Sequence, residues 1–161
     1  MPFAIFLKID GVPGESQDAK HKDEIDVLAW SWGLNRTGSE GKVNIEGRTG
    51  SEGKVSIEDL SIDKLVDKAT PKLIALCASG ALIKEAFLTV RERAFEFLKV
   101  SLTNGIITAV KDTGSIEDPP TECVAINFAE VVKVEYTPQT ADGSPGTPVS
   151  TGWDVSAMKP V

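Results

Sequence analysis

The octapeptide RTGSEGKV occurs at residues 36–43 and again at residues 48–55, and its glycines and lysine are residue types that a phosphate-binding loop uses. Such a loop needs G-x-x-x-x-G-K-[ST], so that backbone N–H groups, the lysine and a Mg²⁺-binding hydroxyl converge on the phosphates. Here five residues separate Gly47 from Gly53, and Val55 stands where the hydroxyl should be. The flanking patterns are strands, so no nucleotide chemistry is expected. His21 is the only histidine, which leaves an imidazole metal site without a second ligand of its kind. The charged run DAKHKDEID around it predicts a surface or turn position. Cys77 and Cys123 form no C-x-x-C pair and lie in no local nucleophile signature; two structural thiols are expected, with a disulfide as the alternative. No serine occupies the centre of G-x-S-x-G. Asp23, Glu24 and Asp26, or Glu58 and Asp59, are the carboxylates close enough in sequence for acid–base work, but no spacing argument selects a pair, and charge runs are commonly solvated faces. The expectation is a chain with no catalytic residue, no cofactor and no metal.

The elements that would position these groups are mostly strands. Phe3, Ile5, Leu7 and Ile9 alternate along the first strand, the period of a half-buried strand. In EIDVLAWSWGL, Leu28, Trp30 and Trp32 oppose Val27, Ala29 and Ser31, which puts bulk on one face and small residues on the other. Alternation through Val55 and Ile57 resumes one step out of phase at Leu60 and Ile62, so a β-bulge is expected near Glu58 and Asp59. Further strands are expected in ALIKEAFLTVR, FEFLKVSL, IITAVK and ECVAINFAEVVKVEYT; in the last, Val124, Ile126, Phe128, Val132, Val134 and Tyr136 share a face. TPKLIALCASG carries helix punctuation: Thr70 as N-cap, Pro71 at the first helical position and Gly80 past the end. Leu73, Ile74 and Cys77 then form a core-facing stripe. Asn104-Gly105 reads either as a hairpin turn or as a bend in one long strand. TPQTADGSPGTPVSTG reads as a long loop, and WDVSAMKP as a closing strand.

Length and composition bound the rest. At 161 residues the chain suits one domain over residues 1–161 with a real core, since a domain of about 150 residues buries roughly 70% of its unfolded surface. A net charge of −7 opposes approach to phosphate backbones, so nucleic acid is not an expected partner. No apolar run approaches the ~18 residues of a membrane span, and MPFAIFLKIDG has neither the basic nor the long apolar region of a secretory signal. The repeat has a period of twelve residues and two copies, too few for a solenoid. It reads as a duplicated, solvated loop, which is tolerable because doubling a flexible loop costs only about 0.6 kcal/mol in closure entropy.

The segment GVPGESQDAKHKDEIDVLAWSWG resembles the opening of the Hcp family, the haemolysin-coregulated proteins that form the tube of bacterial type VI secretion systems. The likeness continues through VSIEDLSIDKLVDKATPKLIALCASG, ECVAINFAEVVKVEYTPQTADG and the terminal GWDV, nearly the whole chain. The resemblance implies a mainly β fold: a compact two-sheet β-barrel with one short flanking α-helix, six copies of which close into a hexameric ring. Rings stack into a tube that a contractile sheath drives outward, and the channel can hold and protect small effector proteins. Expected partners are copies of itself, effectors in the lumen, and the sheath and spike of the machine. Assembly in the cytoplasm followed by secretion without a cleaved signal suits the N-terminus. The matching position of Ser31 lines the lumen, and alternation adds Val27 and Ala29 to that wall. The loop after the second strand reaches toward a neighbouring ring in the family; here it carries Arg36, Glu40, Lys42, Arg48, Glu52 and Lys54, expected to serve ring stacking. Some relatives add a C-terminal toxin domain, for which this chain leaves no expected room. The competing readings are a monomeric β-sandwich that binds a ligand such as carbohydrate, a small acid–base enzyme, and a phage-tail-tube-like protein.

Overall fold

A computed structural model describes residues 3–37 and 54–161. Among them run β1 (Phe3–Ile9), β2 (Ile25–Asp26), β3 (Ala29–Ser31), β4 (Leu34–Thr37), β5 (Lys54–Ile57) and β6 (Leu60–Leu65). Then come α1 (Thr70–Ser79), β7 (Ile83–Glu92), β8 (Phe95–Thr113), β9 (Thr121–Phe128), β10 (Val131–Tyr136), β11 (Val149–Asp154) and β12 (Lys159–Pro160). Ten strands share one antiparallel sheet and β4–β5 form a separate two-stranded ribbon.

β8 organises the large sheet. Its first half pairs with β7 and β10, and its second half with β9. Asn104-Gly105 lies inside this 19-residue strand, so it is a bend and not a hairpin. Asn104 takes a positive φ of 53°, and a Cβ on Gly105 would fall 2.5 Å from the Phe128 ring. Only glycine lets the backbone approach that ring so closely. From the bend, one arm of the sheet runs through β10 to β11 and β12, another through β7 to β1 and β2, and a third through β9 to β6 and β3.

The expected barrel does not close. Residues 25–31 would have to pair on both edges, but the backbone divides them: β2 pairs with β1 and β3 with β6. At the break, the Val27 N–H donates to the Ile5 carbonyl at 3.0 Å, and the Leu28 N–H to the Asp63 carbonyl at 2.7 Å. The same division shifts the side-chain phase. Val27 is 7% exposed within the core, whereas Leu28 is 53% exposed; Trp30 and Trp32 pack against the core as expected. A comparable change of partner replaces the bulge expected at Glu58 and Asp59. β5 pairs with β4, β6 pairs with β3 and β9, and the chain changes sheet between them.

The core lies between the arms, with Leu7, Ile25, Leu60, Ile62, Leu88, Leu102, Ile126 and Phe128 almost wholly buried. Each long strand contributes alternate residues, the consequence of a two-residue side-chain period. α1 closes one end through Leu73, buried, with Leu76 and Cys77 packed against the cluster; Ile74 turns out to solvent at 46% exposure. The N-cap is Ala69, one residue before the expected Thr70, and Gly80 ends the helix in the left-handed conformation, its N–H bonded to the Leu76 carbonyl. The long loop between β10 and β11 is present, while the closing segment is a short hairpin of β11 and β12.

Candidate functional site

Among the described residues no cleft gathers catalytic side chains; the most regular feature is an exposed face spanning β3, β6, β9 and the second half of β8. Cross-strand register puts Ala29, Asp63, Cys123 and Lys111 in one row, and Ser31, Ser61, Ala125 and Ala109 in the next. All are exposed except the half-buried Ala125. The opposite sides of the same strands carry Leu60, Ile62, Val124, Ile126 and Ile107, which are buried. Apart from Lys111, alternation thus yields a wall of small and short polar groups backed by branched apolar residues. Ala29 and Ser31 belong to this wall. Val27 does not, because its side chain enters the core. Ser61, Asp63, Cys123, Ala125 and Asn127 were overlooked in sequence, although the alternation of β6 and β9 carries the signal for them.

Hydrogen bonds stiffen the wall. Asn127 donates to Asp59 at 2.8 Å, and the Thr108 hydroxyl to Asp59 at 3.1 Å. The Cys123 thiol donates to Asp63 at 2.8 Å; that bond, with desolvation and the Asp63 charge, pushes the thiol above its ordinary value. A raised thiol holds less thiolate, the nucleophilic form. Cys77 and Cys123 are both free.

The ribbon β4–β5 leaves the large sheet between β3 and β6. Arg36 pairs with Val55 and Thr37 with Lys54 across it. Glu40, Lys42, Arg48 and Glu52 lie outside the described residues.

Two polar clusters lie elsewhere, and the sequence reading missed both. His21, expected at the surface or in a turn, lies in a turn in which the Glu24 N–H donates to its carbonyl, yet it is only 8% exposed. Its ring stacks on Phe6 at 4.4 Å, its Nδ1 lies 3.0 Å from Glu24 and its Nε2 2.7 Å from Glu96. Burial would raise Glu96, but His21, Lys99 and Lys20 hold it below the usual glutamate range. Arg91 covers the Phe6 ring at 4.9 Å and grips Asp18 with both terminal nitrogens, a bond that lowers Asp18 to about 2. Together these contacts clamp the segment before β2 onto the sheet. Lys64 and Glu122 are fully buried at the start of α1, joined at 2.7 Å, with Asp67 2.8 Å and Thr70 3.5 Å from the ammonium. Among the described residues no group of three or more metal-ligating side chains occurs, and no helix is long and apolar enough to cross a membrane.

A family model described as "Type VI secretion system effector, Hcp" matches residues 6–136. A second finding is as direct: the chain is 44% identical to protein hcp1 of Pseudomonas aeruginosa, covering 96% of each chain. The chain belongs to the Hcp family. Solved structures agree. Hcp1 from Salmonella typhimurium superposes with a TM-score of 0.81 at 36% identity over the whole of both chains. A structure titled as a type six secretion system protein reaches 0.87 at 28% identity over 99% of each. As an Hcp protein the chain is a secreted, structural tube component of type VI secretion, and its exposed wall and ribbon are to be read in that light.

Proposed function

We propose that six copies of this chain close into a ring, that rings stack into the secreted tube, and that the wall bearing Ala29 and Ser31 faces the channel. The observation that carries this reading is the wall itself: apart from Lys111, four adjacent strands present small and short polar side chains on one exposed face while their other face fills the core. Such a face offers few anchors and little protruding bulk, which suits a conduit whose contents must be held loosely and released. A binding pocket for a small molecule is lined mainly by hydrophobic and aromatic groups around a few fixed polar ones. Effector proteins would rest on this wall. The sheath and spike of the secretion machine would meet other faces of the same assembly, which forms in the cytoplasm and is then exported. The ribbon, with Arg36 and Lys54, is a stacking contact; each exposed ion pair there is worth only about 0–1 kcal/mol, so the contact works by repetition around the ring.

The test replaces Ser31 by a residue that projects into the channel. Ser31→Gln is expected to leave six-fold rings visible by electron microscopy and native mass spectrometry, while lowering the amount of effector that copurifies. Normal effector levels in intact Ser31→Gln rings would count against this face, and a wild-type protein that remains a monomer at high concentration would refute the ring.

A further inference from the structure

At the base of the ribbon lies a cavity of about 290 Å³, lined by Trp32, Leu34, Val55, Val134 and Trp153, with Arg36 among its residues. It is mostly apolar, and the buried indole N–H of Trp153 in its lining has no hydrogen-bond partner. Buried polar groups are nearly always paired, so the cavity is built for an occupant that brings an acceptor.

The opposite end of the subunit carries a matching protrusion. Residues 114–120 join β8 to β9 and are all exposed, and Ile116 at 103% is as open to solvent as an extended chain would be. The Ser115 hydroxyl accepts the Asp118 N–H at 3.2 Å and fixes the turn around it. Glu117 and Asp118 follow Ile116 directly. The tip is thus an apolar knob beside two carboxylates, and the cavity an apolar hole that includes a guanidinium. Register sets them apart. Ser31, next to Trp32, pairs with Ser61 at the start of β6, whereas Leu65 at its end pairs with Thr121 beside the knob. Along β8, Leu102 pairs with Val132 near the hole and Thr113 borders the knob, with the bend at Asn104-Gly105 between them.

We propose that the β8–β9 turn around Ile116 of one copy docks in the Trp32–Trp153 cavity of the next copy along the tube. A knob and a hole on opposite ends make a heterologous contact, which repeats in one direction without closing on itself. Ile116 fills the apolar hole, Glu117 and Asp118 approach Arg36, and an exposed carbonyl of the turn accepts the Trp153 N–H. The inference rests on the ring-and-stack reading above and assigns its contact.

Ile116 touches nothing within the subunit's core, so Ile116→Asp and Ile116→Ala test the contact without endangering the fold. Under conditions where the wild type forms tubes, Ile116→Asp is expected to give rings of unchanged native mass with loss of stacks beyond single rings, and Ile116→Ala to give shortened tubes. In a Cys77→Ser, Cys123→Ser background, the pair Ile116→Cys and Val55→Cys should give, on oxidation, a ladder of covalent multimers on a denaturing gel. Either single cysteine variant should give nothing beyond a dimer. Tubes of wild-type length from Ile116→Asp, or tubes of the double variant without a ladder, would overturn the docking while leaving the tube reading intact. A wild type that never passes beyond isolated rings would overturn the stacking reading and this contact with it.

Discussion

Lys64→Met tests the energetics of the fold at its most demanding point. The Lys64 ammonium is fully buried and bonds Glu122 at 2.7 Å, Asp67 at 2.8 Å and the Leu65 carbonyl at 2.9 Å. Methionine keeps much of the volume but leaves the fully buried Glu122 without its counter-ion. Removing one partner of a buried ion pair costs about 3–5 kcal/mol, and each kcal/mol moves the midpoint by about 2–4 °C in a chain of this size. The expected fall in Tm is therefore about 6–20 °C. The double variant Lys64→Met, Glu122→Leu removes both charges and should recover most of it, since apolar replacement of a buried pair is commonly neutral or stabilising. The sign of the pH dependence follows from Glu122. Burial, with Asp112 beside it, raises this carboxyl above its ordinary 4.5, while Lys64 pulls it down. A carboxyl raised in the folded state binds its proton more tightly there than when unfolded, so stability falls as pH rises from about 4.5 through the folded value. Without Lys64 that value rises further, and Lys64→Met should regain stability on acidification from about pH 8 to about pH 5. The double variant should not. The assay is thermal and urea unfolding followed by circular dichroism at fixed protein concentration, because ring assembly is linked to folding. A loss below about 1 kcal/mol at pH 8, no pH dependence, or a double variant as unstable as the single would refute the reasoning.

Gly105→Ala should destabilise by about 1–3 kcal/mol, the usual cost of overpacking, because the new Cβ would meet the Phe128 ring at 2.5 Å and the Asn127 carbonyl at 2.7 Å; a urea midpoint equal to wild type would show that the bend tolerates a side chain. Asp18 is held at about 2 by Arg91, so its contribution is present above the unfolded value of 3.8 and is lost as pH falls through about 2. Asp18→Asn should accordingly flatten the acid side of the stability–pH curve between those values, and a curve parallel to wild type in thermal melts would contradict the clamp.

The sequence by itself determined the strands, the helix and the family. Period-two alternation in β6 and β9 survives translation into structure because one face of each meets the core and the other does not, whereas in β1 Phe6 is buried and Phe3 exposed. The Pro71 and Gly80 punctuation placed α1 within a residue, since both act through their own backbone, which needs no tertiary partner. The Hcp resemblance in GVPGESQDAKHKDEIDVLAWSWG and the segments after it was equally legible, being carried by the order of residues alone.

Only the tertiary structure decided which neighbour each strand would take. Val27 reads as a wall residue when the second strand is assumed continuous, yet it is buried, because residues 25–31 change partner from β1 to β6 and the turn of the backbone moves the phase by one. The out-of-phase Leu60 has the same origin. The burial of His21 was illegible for a related reason, since a charged run predicts solvent, and Lys64 shares the buried face of β6 with Leu60 and Ile62; what holds these two inside is Glu96, 75 residues away from one, and Glu122, 58 away from the other. Local pattern reports which side of a strand is apolar. Partners distant in sequence decide which polar groups can be buried, because a charge leaves water only where another chain segment brings its counter-charge.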